Sequence, residues 1–279
     1  MKNYIFILLL FLGLGYYMVI FEPNNLQIER EVIAIQNLPQ EFKGVSIVHL
    51  TDIHSYWFGP REKRVLEIVE ELDPDFVFIT GDFVDLTTKL VTDRDLSSVR
   101  VFWQELGKRY QDRVFAVLGN HDYDIEIKGV GDILEISGIE VLYNENKRIF
   151  INNEFIYLIG VDDPRTGRDN LEKAMKETQE DKPKILLAHS PDIISEAAGK
   201  RIDLVLVGDT HGGQVNIPFL DRFLRYFKPL TEYGRKYISG LFKIDSTYLY
   251  VNRGIGTSLL PIRFNCPPEI TLIELMPSI

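Results

Sequence analysis

The chain has 279 residues, 45% of them hydrophobic, which is enough for one domain with a sizeable core. Lysine and arginine total 31 against 41 aspartate and glutamate residues, and the net charge of -10 argues against nucleic-acid binding. The single cysteine, Cys266, excludes an intrachain disulfide and a cysteine-based zinc site.

The N-terminus carries an uncharged apolar run, Tyr4 to Phe21, of about the length that spans a bilayer as a helix. The run predicts an uncleaved membrane anchor in residues 1–25. A cleaved signal peptide and a buried core helix are the alternatives, but aromatic residues end the run and no Ala-x-Ala site follows. The charges around the run, with only Lys2 before it, weakly favour an extracytoplasmic location for the rest of the chain.

Residues 26–279 contain no low-complexity linker and no internal repeat, so we expect one continuous domain. Short apolar runs alternate with segments of helical periodicity, which is typical of an α/β or layered α+β fold. The predicted strands are Val45 to Leu50, Phe76 to Thr80, Val114 to Leu118, Ile185 to Ala188 and Leu204 to Val207. The predicted helices include Arg61 to Leu72 and Asp95 to Tyr110.

Each of these strands is followed by polar residues that could bind a metal ion. In open α/β sheets the carboxyl ends of neighbouring strands form one crevice, so we expect the five polar clusters to converge in one site. The candidate ligands are the carboxylates Asp52, Asp82 and Asp209, the amide Asn120, and the imidazoles His54, His189 and His211. This set is too large for one tetrahedral ion, and a bridging carboxylate such as Asp82 would create a dinuclear centre.

Taken singly, each of these residues has a more ordinary explanation. An aspartate or asparagine after a strand is usually a turn former or helix cap, and a single histidine is usually structural. His49, inside a predicted strand, fits a core or supporting role. The coincidence of five such clusters favours a metal site.

The motifs Asp-x-His, Gly-Asp, Gly-Asn-His-Asp, a lone His and Gly-x-x-His-Gly-Gly-Gln occur here in the order found in calcineurin-like metallophosphoesterases, which this sequence resembles from about Val45 to Ile273. The segment from Arg253 to Ile270 is similar to a membrane-associated or exported bacterial branch. The resemblance implies a β-sandwich flanked by helices, with metals at the carboxyl ends of the strands. It also implies a phosphodiesterase or phosphatase reaction in which a metal-bound hydroxide attacks phosphorus.

The resemblance further implies a role for each candidate residue. Asp52, His54 and His211 would bind the first metal, Asp82 would bridge, and Asn120 and His189 would bind the second. His121 would be the general acid or a phosphate contact, with Asp122 orienting it. Asp209 stands where the family has a histidine; as a ligand it would favour Mn²⁺ or Mg²⁺, with Fe or Zn²⁺ also compatible with the site.

The substrate is less constrained by the sequence. Phe219 to Lys243 interleaves six basic residues with seven aromatic ones, so it could meet anionic lipid head groups or pack its aromatics on the core. With the anchor, the segment suggests a membrane-borne or lipid-linked phosphoester. A UDP-2,3-diacylglucosamine pyrophosphatase is one alternative, and a non-catalytic membrane-tethered scaffold is another.

Overall fold

The computed structural model describes residues 2–84, 93–123, 129–220 and 228–278. The predicted basic segment falls partly outside these residues, because Arg222 and Arg225 lie in the part that is not described. Within residues 228–243, Tyr237 is buried, and Tyr233 and Phe242 pack beside it in one apolar cluster. The alternative in which the aromatics pack on the core is therefore confirmed for this part of the segment.

Two six-stranded sheets form the centre of the domain. The strand bounds are β1 Gln27–Ile35, β2 Ser46–Leu50, β3 Phe76–Thr80, β4 Val114–Val117, β5 Glu140–Val141, β6 Glu145–Ile151, β7 Glu154–Gly160, β8 Lys184–Leu187, β9 Leu204–Val207, β10 Gly240–Ile244, β11 Thr247–Val251 and β12 Glu269–Pro277. In the first sheet the strands run in the order β1, β12, β2, β3, β4, β5, and in the second the order is β10, β11, β9, β8, β7, β6.

The five predicted strands correspond to β2, β3, β4, β8 and β9, with bounds that agree to within one residue. Neighbouring strands among β2, β3, β4 and β5 are parallel, as are those among β7, β8, β9 and β11. The β-sandwich that the resemblance implies is confirmed, because β2, β3 and β4 belong to the first sheet and β8 and β9 to the second. The polar clusters therefore converge from two sheets.

Helices cover the outer face of each sheet and give a four-layered domain. A central apolar cluster includes side chains from both sheets, among them Phe78, Leu187 and Leu206. After the N-terminal helix α1 (Lys2–Tyr16), the helix bounds are α2 Pro60–Leu72, α3 Asp93–Arg109, α4 Val130–Ile136, α5 Leu171–Ala174, α6 Ile194–Ala197 and α7 Glu232–Lys236. The two predicted helices are present as α2 and α3, and both contribute to the cluster outside the first sheet.

The N-terminal apolar run is helical, beginning as α1, Lys2–Tyr16, and continuing in a single helical stretch that is long and apolar enough to cross a membrane. The most apolar 18 residues of this stretch, Tyr4–Asn24, have a mean hydropathy of 2.3, and none of them is buried in the domain. A buried core helix is therefore excluded.

Candidate metal centre

The ligand candidates of the first sheet leave the carboxyl ends of three adjacent parallel strands. Asp52 and His54 follow β2, Asp82 follows β3, and Asn120 follows β4. The second sheet contributes His189 after β8, and Asp209 and His211 after β9. All seven predicted metal ligands thus lie at strand ends on one side of the sandwich.

The backbone at five of these residues has an unusual conformation. Positive φ angles occur at the five, which are Asp52 (47°), His54 (43°), Asp82 (55°), Asp209 (67°) and His211 (51°). Only a few per cent of non-glycine residues adopt this left-handed region, and such strained residues cluster at functional sites. The strain redirects each side chain from the strand axis toward the common centre.

Four of the side chains form a compact donor set. One ligand atom from each of Asp52, His54, Asp82 and His211 lies within 4.8 Å of all the others, and all four residues are buried. His54 Nε2 is 3.3 Å from Asp82 Oδ2, and His211 Nε2 is 3.3 Å from Asp52 Oδ1. Two carboxylates and two imidazoles at this spacing match the ligand types that bind first-row divalent cations.

A second donor set shares Asp82 with the first. His189 Nε2 lies 3.3 Å from Asp82 Oδ2 and 3.8 Å from Asp209 Oδ1. His189 Nδ1 lies 2.7 Å from the Thr80 carbonyl oxygen and must donate to it, so in the neutral imidazole Nε2 carries the lone pair that a metal requires. Within the described part of the chain, the buried oxygens Asn120 Oδ1 and Asp209 Oδ2 receive no hydrogen bond, as expected of metal-facing atoms.

Asp209 also makes a contact that the sequence did not predict. Arg165 Nη1 donates to Asp209 Oδ1 at 2.5 Å, and the Asp209 side chain is only 2% exposed. The Asp209 backbone N–H in turn donates to Asp52 Oδ2 at 3.0 Å. The residue that departs from the expected motif therefore links the metal cluster to a guanidinium group.

Asp122 holds the ligand loops together. Its carboxylate accepts hydrogen bonds from the backbone N–H groups of Asp82, Phe83 and Gly119, at 2.8 to 2.9 Å. The His121 backbone N–H donates to Asp82 Oδ1 at 3.0 Å, and the His121 ring lies edge-on to the His54 ring, with 5.4 Å between centroids. Asp122 thus joins two strand-end loops, a role that its motif did not predict.

The electrostatics of the cluster favour a bound cation. Burial, together with the neighbouring Asp82 charge, raises the pKa of Asp52 to about 6 and that of Asp122 to about 7. Burial also opposes ionisation of Asp82, but His189 and His54 hold its pKa well below the ordinary range. A divalent cation would favour the ionised carboxylates and the neutral imidazoles that metal ligation needs.

Close backbone approach explains the glycines beside the ligands. A Cβ atom on Gly208 would lie 2.1 Å from Thr51 Oγ1 and 2.2 Å from Asp52 Oδ2. A side chain at this position would therefore displace a predicted ligand.

His49 is fully buried, and its Nε2 lies 2.8 Å from Thr80 Oγ1, so the prediction of a core or supporting role is confirmed.

A cavity of about 420 Å³ opens over the cluster. Its floor includes Asp82, Asn120, His121, Asp209 and His211. Its walls combine cationic side chains with apolar ones, none of which is among the predicted site residues: Arg165, Lys228, Val215, Pro229, Leu230, Leu259, Leu260 and Ile262. The cavity is therefore suited to a ligand with an anionic and an apolar part.

Buried carboxylates, imidazoles and an amide at the strand ends of a four-layered sandwich define the class of metal-dependent hydrolases. Residues 45–213 match the family model of calcineurin-like phosphoesterases, and the chain belongs to this family. It is accordingly a hydrolase that acts on phosphoric esters and uses divalent metal ions.

Three relatives illustrate the similarity. The uncharacterized metallophosphoesterase YkuE of Bacillus subtilis is 29% identical over 94% of this chain and 90% of its own length. Phosphodiesterase YaeI of Escherichia coli is 29% identical over 95% of this chain and 93% of its own length. A transmembrane protein with a metallophosphoesterase domain from Danio rerio is 33% identical over 87% of this chain but only 56% of its own length.

Proposed function

We propose that the chain is a phosphodiesterase with a dinuclear centre, whose two divalent cations are Mn²⁺ ions. The observation that carries the proposal is the sharing of Asp82 by two donor sets. Asp52, His54 and His211 complete the first set, and Asn120, His189 and Asp209 complete the second. Three carboxylates and one amide oxygen among the donors favour a hard cation such as Mn²⁺ or Mg²⁺ over Zn²⁺.

The bound ions would polarise a phosphoryl oxygen and supply a nucleophilic water at neutral pH. The chain's own residues supply the remaining functions. His121 lines the cavity floor beside the donor sets and donates a proton to the leaving alkoxide. Arg165, held by Asp209, contacts the phosphate through its remaining N–H groups. Asp122 keeps the Asp82 and Gly119 loops in register, which also fixes the position of His121.

Residues 1–25 form the anchor and residues 26–279 the catalytic domain, which lies outside the cytoplasm. The substrate is a membrane-borne, lipid-linked phosphodiester. Two observations support this substrate class: the helix Tyr4–Asn24 can cross a membrane, and the cavity above the donor sets is partly apolar. The acidic surface, with a net charge of -10, makes a nucleic-acid substrate unfavourable.

The proposal is tested by hydrolysis of bis(p-nitrophenyl) phosphate by the full chain in detergent. We expect activity with Mn²⁺, loss of activity after chelation and recovery when Mn²⁺ is restored. Asp82→Asn should abolish the activity, whereas the matched variant Asp245→Asn, in the exposed β10–β11 turn, should retain it. Metal-independent hydrolysis, or equal activity in the two variants, would overturn the proposal.

A substrate panel then separates the candidate lipids. Vesicles that contain a phosphodiester lipid test the proposed substrate, and vesicles that contain a lipid-linked nucleoside diphosphate test the pyrophosphatase alternative. Preference for the nucleoside diphosphate would replace the proposed substrate but keep the metal chemistry. Accessibility of the domain to protease in intact cells and in inverted membranes reports on which side of the membrane it lies.

A further inference from the structure

Five large apolar side chains are exposed on two chain segments that line the cavity or directly follow a residue that lines it, Val215. They form what we call the apolar rim: Ile217, Phe219, Leu220, Leu259 and Leu260. Phe219 is fully exposed, and Leu259 and Leu260 are 72% and 60% exposed. Soluble proteins expose single apolar residues routinely, but a cluster beside a binding site marks an interaction surface.

The rim is tied directly to the anchor helix. The Arg263 backbone N–H donates to the Met18 carbonyl oxygen at 2.9 Å, and the Phe264 ring packs edge-on against the Tyr17 ring, with 6.0 Å between centroids. The Cys266 backbone N–H donates to the buried Glu22 carboxylate at 2.5 Å. The segment that carries Leu259 and Leu260 is therefore attached to the last turns of the helix.

These contacts with the helix determine how deep the rim would lie in a membrane. Met18 lies six residues before the end of the helix Tyr4–Asn24, about 9 Å along the axis, so a bilayer that this helix spans would have Met18 near its surface. Leu259 is four residues from Arg263, which limits their separation to about 14 Å. Ile217, Phe219 and Leu220, the other part of the rim, are equally close to the helix. The Asn216 N–H donates to the carbonyl oxygen of Phe264, whose ring contacts Tyr17, and Phe219 is three residues further on.

The rim is also rigidly connected to the metal cluster. Gln214 follows the His211–Gly213 turn, and its side chain accepts a hydrogen bond from the Ser258 N–H and donates to the Leu260 carbonyl oxygen, both at 2.8 Å. Leu259 has a φ of 63°, in the left-handed region that leucine rarely adopts. The loop is thus held in a strained conformation that points an apolar side chain outward. Exposure of this side chain to water is unfavourable, so the conformation has no benefit for a surface in contact with water alone.

We propose that the apolar rim inserts into the acyl region of the bilayer that holds the anchor. The mouth of the cavity then opens at the membrane surface, and a lipid phosphodiester enters by its head group while its acyl chains remain in the bilayer. The substrate part of this proposal rests on the function proposed above; the insertion itself does not. The bilayer is favoured over a second copy of the chain because the rim is fixed to a helix that can span the membrane.

The insertion is tested with the full chain reconstituted in vesicles. A fluorescent label on Leu260→Cys should lose emission when the phospholipids carry bromine on their acyl chains. The matched label on Ile136→Cys, on α4 and 66% exposed, should not change. Native Cys266 is buried, and unsubstituted protein gives its background. Equal quenching of the two labels, or shielding of the Leu260 label that depends on protein density, would overturn the insertion.

Activity on lipid provides the second measurement. The double variant Phe219→Asp with Leu220→Asp changes rim residues that do not line the cavity, and aspartate tolerates the left-handed backbone of Phe219. Hydrolysis of a phosphodiester lipid in vesicles should fall by about tenfold or more, while hydrolysis of the soluble aryl diester should stay within about twofold. Equal loss on both substrates would contradict interfacial access. Quenching without any hydrolysis by the unsubstituted chain would refute the proposed function and leave the insertion standing.

Discussion

Asp209 provides the sharpest test of the second metal position, because it is the one predicted ligand that departs from the family motif. Its Oδ1 atom lies 3.8 Å from His189 Nε2 and accepts a hydrogen bond from Arg165, while its buried Oδ2 atom receives none within the described residues. If Oδ2 binds a cation, Asp209→Ala removes a ligand. Asp209→His should preserve activity with an altered metal preference, because histidine occupies this position in the family.

The expected magnitude follows from the contacts. Loss of a group that only orients a ligand weakens metal affinity by about 10- to 100-fold, and loss of the ligand itself should weaken it at least as much, by about 1.4 to 2.8 kcal/mol or more. Titration with Mn²⁺ by calorimetry, with metal analysis after gel filtration, should therefore show close to one Mn²⁺ per chain in Asp209→Ala.

Arg165→Ala separates the two roles of Asp209. This variant removes the charge-assisted hydrogen bond but no ligand, so it should retain both ions and raise the KM for an aryl phosphodiester. If Asp209→Ala retains both ions with unchanged affinity, and its effect on KM is not additive with that of Arg165→Ala, then Asp209 only positions the guanidinium. That result would remove Asp209 from the metal centre.

Two further predictions concern the cavity and its support. His121→Ala should retain metal and lower kcat by about 10²- to 10⁴-fold, because its backbone N–H still binds Asp82 while the proton donor is lost; loss of metal in this variant would instead make the imidazole a ligand. Gly208→Ala should lower the thermal midpoint, by a destabilisation of about 1–3 kcal/mol, because its Cβ would contact Thr51 and Asp52. The control Gly199→Ala, with open space around its Cβ, should change stability by less than about 0.5 kcal/mol, and equal midpoints for the two variants would contradict the close packing at Gly208.

The sequence predicts the central strands well because they are buried on both faces. β2, β3, β4, β8 and β9 are short, mainly apolar runs, and a glycine or a polar residue follows each of them within two residues. The α2 and α3 helices are predicted equally well, since their apolar residues recur with helical spacing. The motifs after these strands were sufficient to propose all seven metal ligands.

The pairing of distant segments was not predictable from local pattern. β1 pairs in parallel with β12, more than 230 residues away along the chain, and no short-range signal encodes that register. The division of the strands between two sheets also depends on which apolar faces meet in the central core. The two-sheet arrangement was therefore predicted from the resemblance to a known family and not from the local pattern.

Arg165 could have been found from a signal that was present. The apolar run from Phe155 to Val161 forms β7, and Asp162, Asp163 and Arg165 follow it just as polar residues follow the other site-forming strands. The rim residues Leu259 and Leu260 carried no such signal, because exposed leucines look like core residues in a sequence. Only their position beside the anchor distinguishes them.

The metal content of the full chain with and without Asp82 tests whether the site binds two ions. Because Asp82 belongs to both donor sets, it should bridge the two ions, and its removal should weaken both. Metal analysis should find two Mn²⁺ per chain in the unsubstituted protein and substantially fewer than one in Asp82→Ala. One Mn²⁺ per chain in the unsubstituted protein, or unchanged metal content in the variant, would contradict the account.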